Sequence, residues 1–404
     1  MGGGIYGVMT GSMTDSVVTG NRITCNVSST GACNTQGAGL WINAGFRSPY
    51  TFTIRSSEIE GNTAGCQRTS TATCQVSGGG LYVAGGTIAI AESAIAENEA
   101  SSAQSLEFRG GGIYVAAVGT VTVDNSTLSG NIAAAEGNRG YGGAIYVEAS
   151  SGALGTADLI YATIADNAAD FGTAFALTNV GPSLAVMRSI IASADGAMSC
   201  WGMSESSGSG GFNVFTDTSC GSPAAGDQLG VDPGLGDLAD NGGPTRTHGL
   251  LAGSPAIDAA GEAACAGHES LATDQRGFPR PADGDGDGTA VCDIGAYEAA
   301  APPAPTPTET ASPTLTATPS PARPRAPRRT PRRAGPLPRR GRLRQSRASL
   351  PARPTPLPAP RPWFRPRPPP RFRPWGSRAV AAPGSRCWRL PPRSPGRWRW
   401  PAAA

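Results

Sequence analysis

Apolar and polar residues alternate with a period of two in short runs along the first half of the chain, as in Thr87-Ile88-Ala89-Ile90 and Thr120-Val121-Thr122-Val123. That period sends successive side chains to opposite faces of a strand, and the β-branched residues within it favour strand over helix. The frequent glycines would also weaken any helix interior. A phrase of small residues, an aliphatic and usually an aromatic punctuates the runs. It reads Gly2-Gly3-Gly4-Ile5-Tyr6, Gly37-Ala38-Gly39-Leu40-Trp41, Gly78-Gly79-Gly80-Leu81-Tyr82, Gly110-Gly111-Gly112-Ile113-Tyr114, Gly142-Gly143-Ala144-Ile145-Tyr146 and the decayed Gly172-Thr173-Ala174-Phe175-Ala176. The copies start 35, 41, 32, 32 and 30 residues apart. A second phrase interleaves with the first, with an aliphatic at its third place and an asparagine at its sixth: Asn21, Asn62, Asn98, Asn131 and Asn167. Short strands and tight turns at this period predict a solenoid, whose coils cannot bury their apolar faces alone and stack on one another. The expected architecture is an all-β parallel β-helix. Glycine is expected at a corner needing positive φ or close backbone approach. The asparagines are expected to tolerate left-handed backbone and to stack as a hydrogen-bonded ladder at another corner.

Four regions follow from this pattern. Residues 1–199 carry the coils and open in mid-repeat, which predicts truncation at the N-terminus; no signal peptide is visible there. Residues 200–300 hold the last coils and a C-terminal module. Residues 301–322 form a spacer rich in Thr and Pro, and residues 323–404 a tail of Arg and Pro that cannot build a core. All 33 basic residues are arginine, and 23 of them lie in that tail, which has no acidic residue. The other 10 face all 30 acidic residues, so the folded body is strongly acidic and unsuited to nucleic acid. The tail reads either as a polycationic arm or as the product of a frameshift in a GC-rich Thr-Pro spacer. No stretch approaches the roughly 20 apolar residues of a membrane span, and a monomer is expected.

The module carries Asn241-Gly242-Gly243-Pro244-Thr245, Ser254-Pro255-Ala256-Ile257-Asp258, Thr273-Asp274-Gln275-Arg276-Gly277 and Cys292-Asp293-Ile294-Gly295-Ala296-Tyr297-Glu298. With these motifs, residues 1–298 resemble the choice-of-anchor Q domain proteins of bacterial surfaces. Their bodies are right-handed parallel β-helices similar to the repeats of the chlamydial polymorphic outer membrane proteins. The resemblance implies right-handed coils, a secreted or surface-displayed protein and an interchangeable C-terminal anchor. It brings no established catalytic residues. The module is expected to cap the last coil's open edge.

Cysteine usage points to an oxidising compartment. The spacing Asn21-x3-Cys25-x7-Cys33 recurs as Asn62-x3-Cys66-x7-Cys74 at the ends of the two longest loops. Bridges within each loop or across stacked loops, Cys25 with Cys66 for example, both fit the spacing; metal binding is the competing reading. Cys200 with Cys220 and Cys265 with Cys292 complete the set, and Cys387 is left over.

Three features are candidates for function. Asp283, Asp285 and Asp287, with Gly288, repeat the opening of an EF-hand calcium loop, whose twelfth place here is Ile294; Asp293 is the candidate replacement, and calcium would be structural. A solvated acidic turn is the competing reading. If the aliphatics flanking Tyr82, Tyr114 and Tyr146 point inward, these rings point outward and would form a platform for a polysaccharide; the competing reading is that the parity is reversed or that a neighbouring loop covers the rings. The third is a polysaccharide lyase or hydrolase site, which rests on fold analogy. Asp166 and Asp170 lie at one asparagine corner with Arg188 the nearest base by register, but no matching carboxylates recur on adjacent coils, so no catalytic residue is named. The leading expectation is an adhesive or structural surface protein, with a carbohydrate-active enzyme as the alternative.

Overall fold

A computed structural model describes residues 3–300, apart from 28–31, 46–49, 69–72, 102–106, 134–138, 151, 179–180, 195, 204–206 and 262–270. The Thr/Pro spacer, the Arg/Pro tail with Cys387, and Cys265 lie outside the described residues. The regular elements described are all strands. None is a helix long and apolar enough to cross a membrane.

Strands one repeat apart pair in parallel, so the chain is a stack of parallel sheets consistent with a β-solenoid. A first sheet holds the glycine-phrase strands Ile5–Val8, Leu40–Asn43, Ile113–Val115, Ile145–Val147, Phe175–Leu177 and Cys200–Trp201. The long strand Leu81–Ala91 joins it to a second sheet of Gly11–Thr14, Thr51–Arg55, Gly119–Asp124, Thr156–Ile160, Ser183–Met187 and Gly208–Gly211. A third sheet stacks Val17–Thr19, Glu58–Glu60, Ala94–Ala96, Thr127–Ser129, Thr163–Ala165 and Ile190–Ile191, and continues through Val214–Phe215 to Gln228–Leu229. A fourth sheet includes Arg22–Val27 and Thr63–Arg68. A fifth comprises Ala32–Gln36, Thr73–Ser77, Glu107–Arg109 and Arg139–Tyr141. Equivalent positions fall in register, as Leu81 with Ile113 and Ile113 with Ile145. Period-two alternation then lines the interior with Ile54, Ile59, Leu81, Val83, Ile88, Ile90 and Ile95, all fully buried.

The asparagine ladder expected at one corner is present. Asn62 Nδ2 donates to Asn98 Oδ1 at 2.9 Å, Asn98 to Asn131 at 3.0 Å, and Asn131 to Asn167 at 2.9 Å. The second amide proton of Asn62, Asn98 and Asn131 goes to Val18, Ile59 and Ile95 carbonyls, so each buried amide is satisfied. The left-handed residue is not the asparagine but its predecessor: Gly61, Glu97, Gly130 and Asp166 have φ of 59°, 56°, 66° and 58°. The asparagine is therefore chosen for its side-chain amide, and its neighbour takes the turn. At the other corner Gly110 has a φ of 66°.

The C-terminal module does not simply close the end of the stack. It doubles back along the outer face of the third sheet, with hydrogen bonds reaching from Glu58 to Gln228. Arg246 N donates to Glu58 Oε1 at 3.0 Å, Thr127 Oγ1 to Gln275 Oε1 at 2.6 Å, Ala296 N to Thr163 Oγ1 at 3.0 Å and Gln228 Nε2 to Pro255 O at 2.8 Å. The Arg246 guanidinium also pairs with Glu60 at 3.0 Å and Glu97 at 3.2 Å. Beyond Glu58 and Glu60, close approach is possible because the outward residues of that sheet's middle strands are small: Ala94, Ala96, Thr127, Ser129, Thr163 and Ala165 are all buried, and Thr127, Ser129 and Thr163 hydrogen-bond to the module.

The module's motifs build a buried polar network. Asp274 accepts from the Arg276 guanidinium and from the Phe278 and Glu298 amides. Asp293 accepts from Asp258 N at 2.7 Å and Ala299 N at 2.5 Å. Burial, with the Glu298 carboxylate beside it, raises the Asp293 carboxyl to about 7; burial also raises Glu298. A carboxyl raised in the folded state binds its proton more tightly there than in the unfolded chain. The stability this confers is present below an ordinary carboxylate value of about 4 and is lost as pH rises through about 7. The melting temperature should therefore be higher at pH 5 than at pH 8, and Asp293→Asn should narrow the difference. Thermal melts of both proteins at the two pH values check this.

Candidate functional site

The aromatics of the glycine phrase stack in register along the outside of the first sheet. Ring centroids are 4.4 Å apart for Tyr6–Trp41, 6.2 Å for Trp41–Tyr82, 4.7 Å for Tyr82–Tyr114 and 5.3 Å for Tyr114–Tyr146, with every pair near parallel. The parity expected from the flanking aliphatics holds, because Leu81, Val83, Ile113, Val115, Ile145 and Val147 all point inward. Yet Tyr82, Tyr114 and Tyr146 are only 8%, 3% and 4% exposed. Each ring covers its neighbour's face, and the fifth sheet covers the file's flank. Gln36 Nε2 donates to the Tyr82 hydroxyl at 3.1 Å, and the Arg109 guanidinium lies 5.5 Å from the Tyr146 ring centre. Burial pushes the Tyr82 and Tyr146 phenols up to about 12. The Tyr114 phenol, buried and hydrogen-bonded to Glu148, is raised further. The middle of the file offers a sugar no free ring face.

The file opens where the repeat decays. The position in register with Tyr146 on the next coil is Ala176, and the one after that is Trp201. A ring is thus missing between Tyr146 and Trp201. Tyr141 and Phe171 lean in from the side, with Tyr141 tilted 54° to Trp201 at a centroid distance of 5.1 Å and stacked on Phe171 at 5.0 Å. Tyr141, Tyr146 and Trp201 border a cleft of about 170 Å³ that Glu107, Arg109 and Thr178 also line. Trp201 and Tyr141 are half-buried. Glu107 and Arg109 form an ion pair at the cleft wall, supplying an acceptor and donors beside the aromatic surfaces. Apolar ring surface with a few oriented polar groups is the chemistry that holds a pyranose ring.

The remaining candidate residues fall elsewhere. Carboxylate oxygens of Asp283 and Asp285 converge with one from Asp258, all within 4.8 Å of one another. Asp258 accepts from the Gly284, Asp285 and Val291 amides, which ties the loop to the module. Asp287 accepts from Thr289 N, and Asp293 turns into the buried network, so neither is in that three-carboxylate group. Disulfides join Cys25 to Cys33, Cys66 to Cys74 and Cys200 to Cys220. Cys292 is also disulfide-bonded. Asp166 lies 3.9 Å from His248 Nε2 and is largely exposed, whereas Asp170 accepts from Gly140 N. Arg188 Nε donates to Ala260 O. Asp124 and Asp158, on adjacent strands of the second sheet, form a carboxylate pair that sequence reasoning missed. Burial raises both, and the Asp158 charge raises Asp124 further. No protein-family model, curated protein or solved structure matches this chain.

Proposed function

We propose that the chain is a secreted, surface-displayed right-handed parallel β-helix protein with an adhesive or structural role, holding a glycan in the cleft between Tyr146 and Trp201. The observation that carries this reading is the cleft bordered by Tyr141, Tyr146 and Trp201 at the end of the aromatic file, where Ala176 stands in register in place of a ring. Multiple disulfides support an oxidising, extracellular location, and the surface-protein motifs of the module agree with it. Calcium is proposed as a structural ion held by Asp258, Asp283 and Asp285, hard oxygen donors suited to it. The protein acts as a monomer. Incubating the oxidised protein with calcium and a panel of plant, algal and bacterial polysaccharides tests the function. Retention on a polymer without new reducing or unsaturated ends is the expected result. Release of such ends would overturn it in favour of a polysaccharide hydrolase or lyase, for which the Asp124–Asp158 pair on neighbouring coils is the first place to look.

A further inference from the structure

The two loop disulfides occupy an unusual position relative to each other. Cys25 and Cys66 are register partners in the fourth sheet, and Cys33 and Cys74 are register partners in the fifth. The Cα atoms of each bridged pair are 6.3 and 6.4 Å apart. Stacking places the second pair one strand spacing, about 4.8 Å, above the first. Cys33, Cys66 and Cys74 are 3%, 3% and 2% exposed, and their sulfur atoms lie within 4.8 Å of one another; Cys25 is half-buried at the margin of the same cluster. Packed against them are Ala38, Ala64, Val76 and Phe108, which form a small core separate from the main interior.

We propose that these stacked disulfides are the oxidised form of a tetrathiolate site for a soft divalent metal ion of the zinc type. Four thiolates about 2.3 Å from a zinc ion lie about 3.8 Å from one another; the Cys33, Cys66 and Cys74 sulfurs already lie within 4.8 Å of one another, and Cys25 at the margin would supply the fourth ligand. The two coils supply two ligands each, so the metal would join coil to coil where the disulfides join only strands within a coil. Conversion needs a thiol reductant, which the proposal takes to be a dithiol. Each protein disulfide receives two electrons and two protons from one dithiol, which becomes a cyclic disulfide. Four cysteine thiols result, and they release four protons as they bind one metal ion. No histidine or carboxylate is needed, and an all-sulfur donor set selects zinc over calcium or magnesium.

The test uses the full chain. It is reduced anaerobically with a phosphine, which transfers its electrons to the disulfides while becoming the phosphine oxide, and is then titrated with cobalt(II). The expected result is the visible absorption of tetrahedral cobalt thiolate, saturating at one ion per chain and abolished by zinc. The oxidised chain should show none of it. Cys66→Ser/Cys74→Ser should lose the band, and Cys200→Ser/Cys220→Ser should keep it. As a readout without substitution, zinc should protect Cys25, Cys33, Cys66 and Cys74 of the reduced wild-type chain from alkylation, as mapped by peptide mass. A reduced wild-type chain without the band would overturn the proposal, whether the loops part or the thiols fail to converge. So would a band that survives in Cys66→Ser/Cys74→Ser, or protection confined to other cysteines.

Discussion

Replacing Arg280 with alanine should cost roughly 3–5 kcal/mol, the penalty for leaving one charge of a buried pair without its partner. The Arg280 side chain is fully buried and pairs with Glu298, itself 1% exposed, at 2.7 Å. The same guanidinium donates to Asp293 O at 2.9 Å and Gly295 O at 2.7 Å, and packs over the Tyr161 ring at 4.5 Å. Through Tyr161 and Asn125 it ties the module to the coils; its contact with Asn125 Oδ1 is 3.5 Å. Without it, the Glu298 carboxylate is left buried close to Asp274 and Asp293, where burial and like charge already raise both Glu298 and Asp293. Urea denaturation should show the loss, and limited proteolysis should cut the variant's module before its coils. A change below about 1 kcal/mol would mean that the module is held by its other contacts. Arg280→Lys should recover only part of the loss, because an ammonium cannot reach all of these acceptors at once.

Gly111→Ala should also be strongly destabilising, by about 3 kcal/mol. A Cβ at Gly111 would lie 2.6 Å from Gly143 O on the next coil and 2.5 Å from the Ile132 carbonyl carbon. Both obstacles are backbone atoms, so no side-chain rotation relieves the clash. Gly208→Ala is the control: nothing lies within 4 Å of its Cβ position, and the change should stay within about 0.5 kcal/mol. Equal effects of the two substitutions on urea unfolding would show that close coil stacking is not what demands glycine at position 111.

The stacked sheets were legible in the sequence because the solenoid repeats its constraints. A glycine that must pass close to the next coil, an aliphatic that must point inward and an asparagine that must continue a ladder recur at each turn. The placement of the module was not legible. Ala94, Ala96, Thr127 and Ser129 flank buried aliphatics as outward positions of any exposed strand would, and only the folded structure shows the module lying over them. The aromatic file was found with the right parity, but its burial depends on the fifth sheet, whose residues Gln36 and Arg109 come from loops between the phrases. The cleft gave still less signal. It is bordered by Tyr141, which lies outside the repeated phrase, and by Trp201, which lies where the repeat has already faded, and its ion pair comes from a different sheet. Asp258 joins Asp283 and Asp285 across a gap in sequence that no loop motif spans.

The central claim is that a glycan sits against Trp201, and it is tested most directly by comparing affinities for a soluble oligosaccharide of whichever polymer the protein retains. The wild type, Trp201→Ala and Tyr6→Ala should be titrated side by side, since Tyr6 is an exposed ring at the opposite end of the same file. Loss of one stacking ring is worth about 1.4 kcal/mol or more, so Trp201→Ala should bind at least about tenfold more weakly while Tyr6→Ala binds like the wild type. Unchanged binding by Trp201→Ala, or an equal loss in both variants, would contradict the account.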